Sequence, residues 1–441
     1  MTALPGPYQG SSGDQRLWAL ATLTLLFLPG LLVGPVHETA AATLTSIGLP
    51  ARPSTTIVYL NVIYQIVYLW LGRKLIIQQE TVPYIAISIL SIFAAAPQLL
   101  SMGDFTVDNI VHMLLSFIAA TFAAVNLQRE NRAAFLKTTC EVFFIYVAAG
   151  IAYWWFFLRE TLVVSDGLAY ARMGTTLIKS VSFGPFIPFM FATYVALSQK
   201  ISRRADLGLT IAYAAICFSA TIASGSRLGL WLMLILLAAL PFYRLKGRHR
   251  TAISLFAPPS FAVGAALAIP YLMESRFVEF GSGGRTASWV AGVKYWSEQS
   301  LHKVIFGSGF GNVYPYASWL EGGMVQWGGG NLFSLGGTTS LVTPHNSYVW
   351  MIVEGGIALC MLMLLPLLIF IVRSIGSNVK HRTIYAIIIA CAVAVSSTND
   401  FLIDEVGGAQ SIFWIIIVCN TLIIHGDRFY LKLGRAETDV A

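Results

Sequence analysis

From Asn346 to Val372 the chain reads NSYVWMIVEGGIALCMLMLLPLLIFIV, and Glu354 is its one charged residue. A helix rises about 1.5 Å per residue, so about twenty apolar residues cross the ~30 Å hydrocarbon core of a bilayer. The core of a soluble domain does not call for a run of this kind. Similar runs recur along the chain, and spans are expected at roughly 17–36, 55–72, 82–101, 108–126, 138–158, 177–198, 207–223, 228–243, 251–273, 346–372, 383–401 and 408–425. Composition agrees: 56% of the 441 residues are hydrophobic and 11% charged, against about 25% charged in an ordinary soluble domain. The expected fold class is an all-α integral membrane protein of about twelve transmembrane helices, with residues 1–441 as one polytopic membrane domain.

Working outward, the loops set the orientation. Of 28 Lys and Arg residues, nineteen fall in alternate segments beginning with the N-terminus, so both termini are expected in the cytoplasm. The net charge of +7 reflects this bias, and nucleic-acid binding is given no weight. Nine positives remain outside: Arg52, Arg159, Arg172, Lys179, Arg227, Arg276, Arg285, Lys294 and Lys303. Orientation does not require them. The cysteines Cys140, Cys217, Cys360, Cys391 and Cys419 sit inside spans without a CxxC pattern and read as small apolar residues. The first apolar run, Leu17 to Val36, exceeds a typical signal core of about 7–15 residues, so an uncleaved first helix is expected.

One connection stands apart. Residues 274–345 form a long outer loop between the ninth and tenth spans, and long ordered loops are often functional. Trp289, Val293 and Trp296 at i, i+4 and i+7 predict a short amphipathic helix over Thr286 to Gln299, lying on the membrane surface. Glycines follow at 307, 309, 311, 322, 323 and 328–330. The stretch Gly307-Ser308-Gly309-Phe310-Gly311 follows no strand of a βαβ unit, so a nucleotide loop is rejected. Kinks are expected at Pro97, at Pro185 and Pro188, and at Pro258-Pro259.

Several outer residues could carry chemistry. Arg227 closes Ser224-Gly225-Ser226-Arg227 in a corner so short that it must sit at the membrane surface. It reads either as a snorkelling helix-end arginine or as an anion ligand. Arg285 and Arg172 are outer-loop arginines. Together such guanidiniums suit a pyrophosphate, because their planar donors match phosphate oxygens and stay charged. No Asp-rich cluster points to a divalent metal. His345, held between Pro344 and Asn346, lies where the long loop re-enters the membrane, and histidine suits proton transfer near neutral pH. Asn346, Asp400 and Glu354 are candidates for acceptor binding or for orienting His345. Glu354 lies nine residues on, about 13 Å deeper and half a turn away, where its carboxylate could instead bond a helix neighbour. Trp289, Trp296, Trp319, Trp327 and Trp350 could stack on sugar rings or form an aromatic belt.

Three of these segments, in this order, resemble the O-antigen ligase and polymerase family of bacterial membrane glycosyltransferases. They are Ser224-Gly225-Ser226-Arg227; Gly284-Arg285 leading through Trp289 to Ile305-Phe306-Gly307-Ser308-Gly309-Phe310-Gly311-Asn312; and His345-Asn346-Ser347-Tyr348 followed by Glu354 and Gly356. The resemblance covers roughly residues 207–372. The ligase-type pattern has a second glycine where this chain has Leu359, which tilts the reading towards a polymerase. The resemblance implies a bacterial inner-membrane enzyme of twelve helices, with no cofactor and no metal. Its donor would be an undecaprenyl-diphosphate-linked glycan, and its acceptor another glycan or lipid A core. Arg227, Arg285 and Arg172 would hold the diphosphate. His345 would take the acceptor's proton as transfer inverts the anomeric carbon. Partners would be the lipid bilayer and chain-length regulators or export proteins. The competing expectations are a twelve-helix lipid or sugar transporter, which would place its site near the midplane and often carries repeats, and a receptor or scaffold without chemistry.

Overall fold

The computed structural model describes residues 12–28, 53–71, 79–99, 107–153, 180–201, 205–224, 226–244, 285–309, 334–335, 338–339, 346–377, 379–397, 401–404 and 409–438. It is helical almost throughout. In chain order the helices are α1 (Ser12–Phe27), α2 (Pro53–Leu71), α3 (Val82–Leu99), α4 (Val107–Asn126), α5 (Arg132–Tyr153), α6 (Ser180–Ile201), α7 (Ala205–Ala223), α8 (Arg227–Arg244), α9 (Arg285–Ser297), α10 (Leu301–Phe306), α11 (Ser347–Ile375), α12 (Val379–Ser397), α13 (Phe401–Asp404) and α14 (Ala409–Thr438). Two short strands, β1 (Ser334–Leu335) and β2 (Thr338–Thr339), pair antiparallel. Helices occupy eleven of the twelve segments expected from the sequence; the remaining one, 251–273, lies outside the described residues, as do Pro258 and Pro259. Among the described residues, three helical stretches are long and apolar enough to cross a membrane: Gln79–Pro97, Arg129–Ala152 and Ser347–Ile375.

Two helices are buried all round and make the centre. Every residue from Phe183 to Ser198 on α6 is buried, and so is every residue from Ala409 to Ile424 on α14. Helix α6 packs against α5, α7, α8 and α12, and α14 against α4, α5 and α11. A helix apolar on all sides is stable only when other helices or lipid cover every face. The aromatic rings of Phe143, Phe186, Phe189, Phe401, Phe413 and Trp414 interlock across this centre with centroids 5.0–5.7 Å apart. The outer helices bear large apolar side chains on their exposed faces, among them Trp70, Phe93, Ile145, Trp231 and Val372.

Several polar residues are turned inward and bond to one another. Gln65 is the hub of one network: Trp18 Nε1–H and Asn126 Nδ2–H donate to its Oε1 at 3.0 and 2.9 Å, while its own amide donates to Thr22 and Asn61. This ties α1, α2 and α4 together at one depth. Arg132, read from the sequence as a loop positive, is fully buried and pairs with Glu80 at 2.6 Å, just before α3. The five cysteines are all buried and free.

One backbone break lies at a glycine. Helix α3 runs through Pro97 and α6 through Pro185 and Pro188. The non-helical residue inside α11 is Gly356, at φ 74° and ψ 168°. Only glycine adopts that backbone without steric cost.

Candidate functional site

The α7–α8 corner is built by serines and glycines. Ser224 Oγ–H donates to Thr221 O at 2.7 Å, ending α7. Ser226 caps α8, its Oγ accepting from Gly229 N at 3.2 Å. A side chain at Gly184 would place Cβ 2.0 Å from Ser226 Cβ, and one at Gly229 would meet Gly184 O at 2.4 Å. These glycines let the corner rest directly on the first turns of α6, as small residues do at close helix crossings. Arg227 is the first residue of α8, and for it the structure describes the backbone alone.

The start of α11 is fixed just as firmly. Asn346 is its N-cap: its Oδ1 accepts from Tyr348 N at 3.0 Å and Val349 N at 3.2 Å. The Asn346 carbonyl oxygen is therefore engaged in starting the helix. Ser347 Oγ accepts from Leu402 N at 3.0 Å, bringing α13 onto the same point. Ser396 Oγ–H bonds back to Ala392 O, so Tyr348 O–H donates to Ser396 Oγ at 2.5 Å. Phe401 on α13 packs on Phe186 with centroids 5.4 Å apart, two residues beyond Gly184 on α6. A continuous set of contacts thus runs from the Arg227 corner through α6 and α13 to the residue beside Asn346. All of these segments lie at one end of the bundle.

The α9–α10 pair attaches to α11 by a different route. A side chain at Gly307 (φ 87°) would meet Glu354 O at 2.0 Å, and one at Gly356 would meet Gly307 N and Ile305 O at 2.3 Å. In an unbroken helix the carbonyls of Val353 and Glu354 accept from residues four further on. Here they accept from Ser308 N at 3.3 Å and Gly309 N at 3.0 Å. The Gly307–Gly309 turn therefore fills the break in α11 with its own backbone donors. Arg285 is the first residue of α9, again with only its backbone described.

The helix expected over Thr286 to Gln299 is present as α9, with part of the expected face turned inward. Val293 is exposed, while Gly292 is buried and Tyr295 and Trp296 pack towards the core. The pair is braced by Trp296 Nε1–H donating to Val304 O at 3.1 Å. The reason is that α9 packs on α11, and that contact selects its buried stripe. Trp350, considered for sugar stacking, is buried and donates from Nε1 to the Glu354 carboxylate. Glu354 is fully buried, eight residues or about 12 Å along α11 from Asn346, and the structure does not bring the two together.

His345, Arg172 and Asp400 lie outside the described residues, as do Trp319 and Trp327. Among the described residues no group of three or more His, Cys, Asp or Glu side chains could hold a metal ion. Sequence reasoning missed Ser347 and Gln410, whose bonds fix α13. A serine or glutamine at a helix end has no pattern that separates it from a solvated one. Compared with protein-family models and with curated proteins, the chain matches none.

Proposed function

We propose that the chain is a membrane glycosyltransferase of the bacterial inner membrane, with twelve spans and both termini in the cytoplasm. It would move an undecaprenyl-diphosphate-linked glycan onto an acceptor sugar hydroxyl at the periplasmic face, inverting the anomeric carbon without a metal, as a polymerase ahead of a ligase. One observation carries the reading. Arg227 and Arg285 each open a helix whose first turn holds no acidic residue. A helix N-terminus carries about half a positive charge, so a cation placed there is disfavoured by about 0.3–1 kcal/mol. A bound diphosphate would reverse that cost, because backbone N–H groups and guanidinium would both face it. In this reading Arg227, Arg285 and Arg172 hold the diphosphate. The leaving group departs as undecaprenyl diphosphate, and His345 accepts the proton of the attacking hydroxyl.

Transfer by purified protein in vesicles, with a lipid-linked glycan as donor, tests the phosphate role. Arg285→Lys is expected to lower transfer by about ten-fold or more, because a point charge does not reproduce a two-pronged contact. Full activity in that variant would remove Arg285 from the site.

The broken helix α11 is the one feature that favours a lipid or sugar transporter, since such carriers use discontinuous helices near the midplane. In carriers the freed carbonyls line a cavity. Here those of Val353 and Glu354 are occupied by the Gly307–Gly309 turn. Alternating solvent access at Cys360 and Cys391 would nevertheless establish a carrier.

A further inference from the structure

Helix α4 carries a histidine that belongs to none of the motifs above. His112 is buried, and its Nδ1 lies 3.0 Å from Gln410 Oε1 at the start of α14. Gln410 Nε2–H donates to Phe401 O at 2.9 Å. An amide that donates through its nitrogen presents its oxygen to the imidazole, so His112 Nδ1 carries the proton and donates it. Phe401 opens α13, and the next residue, Leu402, donates its N–H to Ser347 Oγ. The chain of bonds therefore runs from α4 through α14 and α13 to the second residue after His345. Its α13 end begins at the residue after Asp400.

Two features give this chain a purpose beyond packing. Burying an imidazole and an amide costs desolvation that two leucines would avoid. The helix they hold has four residues. Such a helix closes at most one internal hydrogen bond, so its position is set by what binds it from outside. From outside, Gln410 bonds its Phe401 carbonyl and Ser347 its Leu402 N–H, while the Phe401 ring packs on Phe186 and Phe413.

We propose that His112 and Gln410 are positioning residues for the glycan-transfer site. They hold α13, and through it the α11 start, at the spacing the reaction needs. The inference rests on the transferase reading for its kinetic consequence, but the structural link stands on the bonds alone.

The test pairs hydrogen exchange with kinetics on the full-length protein. His112→Phe keeps a ring and removes the donor; His112→Asn returns an amide N–H near the Nδ1 position. In His112→Phe, amide exchange over 401–404 and 346–349 should quicken by about ten-fold or more, the size expected for losing one buried bond. kcat should fall by a similar factor with KM for the lipid-linked donor unchanged, and His112→Asn should restore both. If His112→Phe does not fold, Gln410→Met reads the same link from its other side. Unchanged exchange in a folded variant overturns the proposal. So does a loss of kcat that only tracks the folded fraction, or one that Asn does not rescue. A wild-type protein that transfers no glycan sinks the transferase reading instead, while the exchange result still decides whether His112 holds α13.

Discussion

Gly356 and Gly307 show how much a single residue can determine here. Each has a positive φ, and each stands where the other's segment leaves no room for a Cβ. An alanine at 356 would carry about 1–3 kcal/mol of backbone strain before any clash is counted. The clash would then drive the Gly307–Gly309 turn out of the break and expose the carbonyls of Val353 and Glu354. Gly356→Ala is therefore expected to release the α9–α10 pair. Limited proteolysis should cut 285–309 far faster than in the wild type, and an unchanged rate would mean that the turn is held by other contacts. That Glu354 could bond a helix neighbour was visible in the sequence, as was Gly356 as part of its motif. That Gly356 breaks the helix was not, because the φ of a glycine is chosen by its tertiary partner, and Gly307 lies nearly fifty residues earlier. Proline need not end a membrane helix, and α6 continues through both of its prolines.

At the scale of elements, apolar runs translate into helices with little ambiguity, because each run is too long for a strand. Their ends are less legible. Helix α5 begins at Arg132 instead of near 138, since Arg132 is drawn in by Glu80 and no longer marks a solvated loop. Helix α14 continues to Thr438, well past the end of the span expected near 425. The face of α9 was legible only in part, because its partner is α11: Trp296 packs inward and Val293 is left outside. The Arg132–Glu80 pair yields a prediction at this scale. Removing one partner of a buried ion pair strands the other, at a cost of about 3–5 kcal/mol. Glu80→Ala should lower the thermal midpoint in detergent sharply, whereas Glu80→Ala combined with Arg132→Met should recover most of it. A midpoint unmoved by the single change would mean that Arg132 finds its compensation elsewhere.

For the whole molecule, two all-round buried helices sit inside a shell that exposes large apolar side chains and buries polar ones within an apolar core. That arrangement suits a hydrocarbon surround, and the proposed twelve-span topology adds its own expectation. Single cysteines placed near the N-terminus and in 73–78 should react with an impermeant thiol reagent only from the cytoplasm. One placed in 310–333 should react only from the periplasm, and the opposite pattern would invert the site onto the wrong face. The candidate site was legible in the sequence as three separate motifs. Their order said nothing of how they meet. The structure joins the corner before Arg227 to Asn346 through α6 and α13, and joins α9 to α11 through a glycine turn.

The central claim is glycan transfer with His345 as the base. Its most direct test is glycan analysis of a strain lacking this gene, complemented with the wild type or with His345→Ala. The account predicts that single lipid-linked units accumulate, that the wild type restores long chains, and that the variant, inserted normally in the membrane, does not. Long chains on the carrier but missing from their final acceptor would make the protein a ligase with the same site. An unaltered glycan profile in the deletion strain, or full rescue by His345→Ala, would contradict the account.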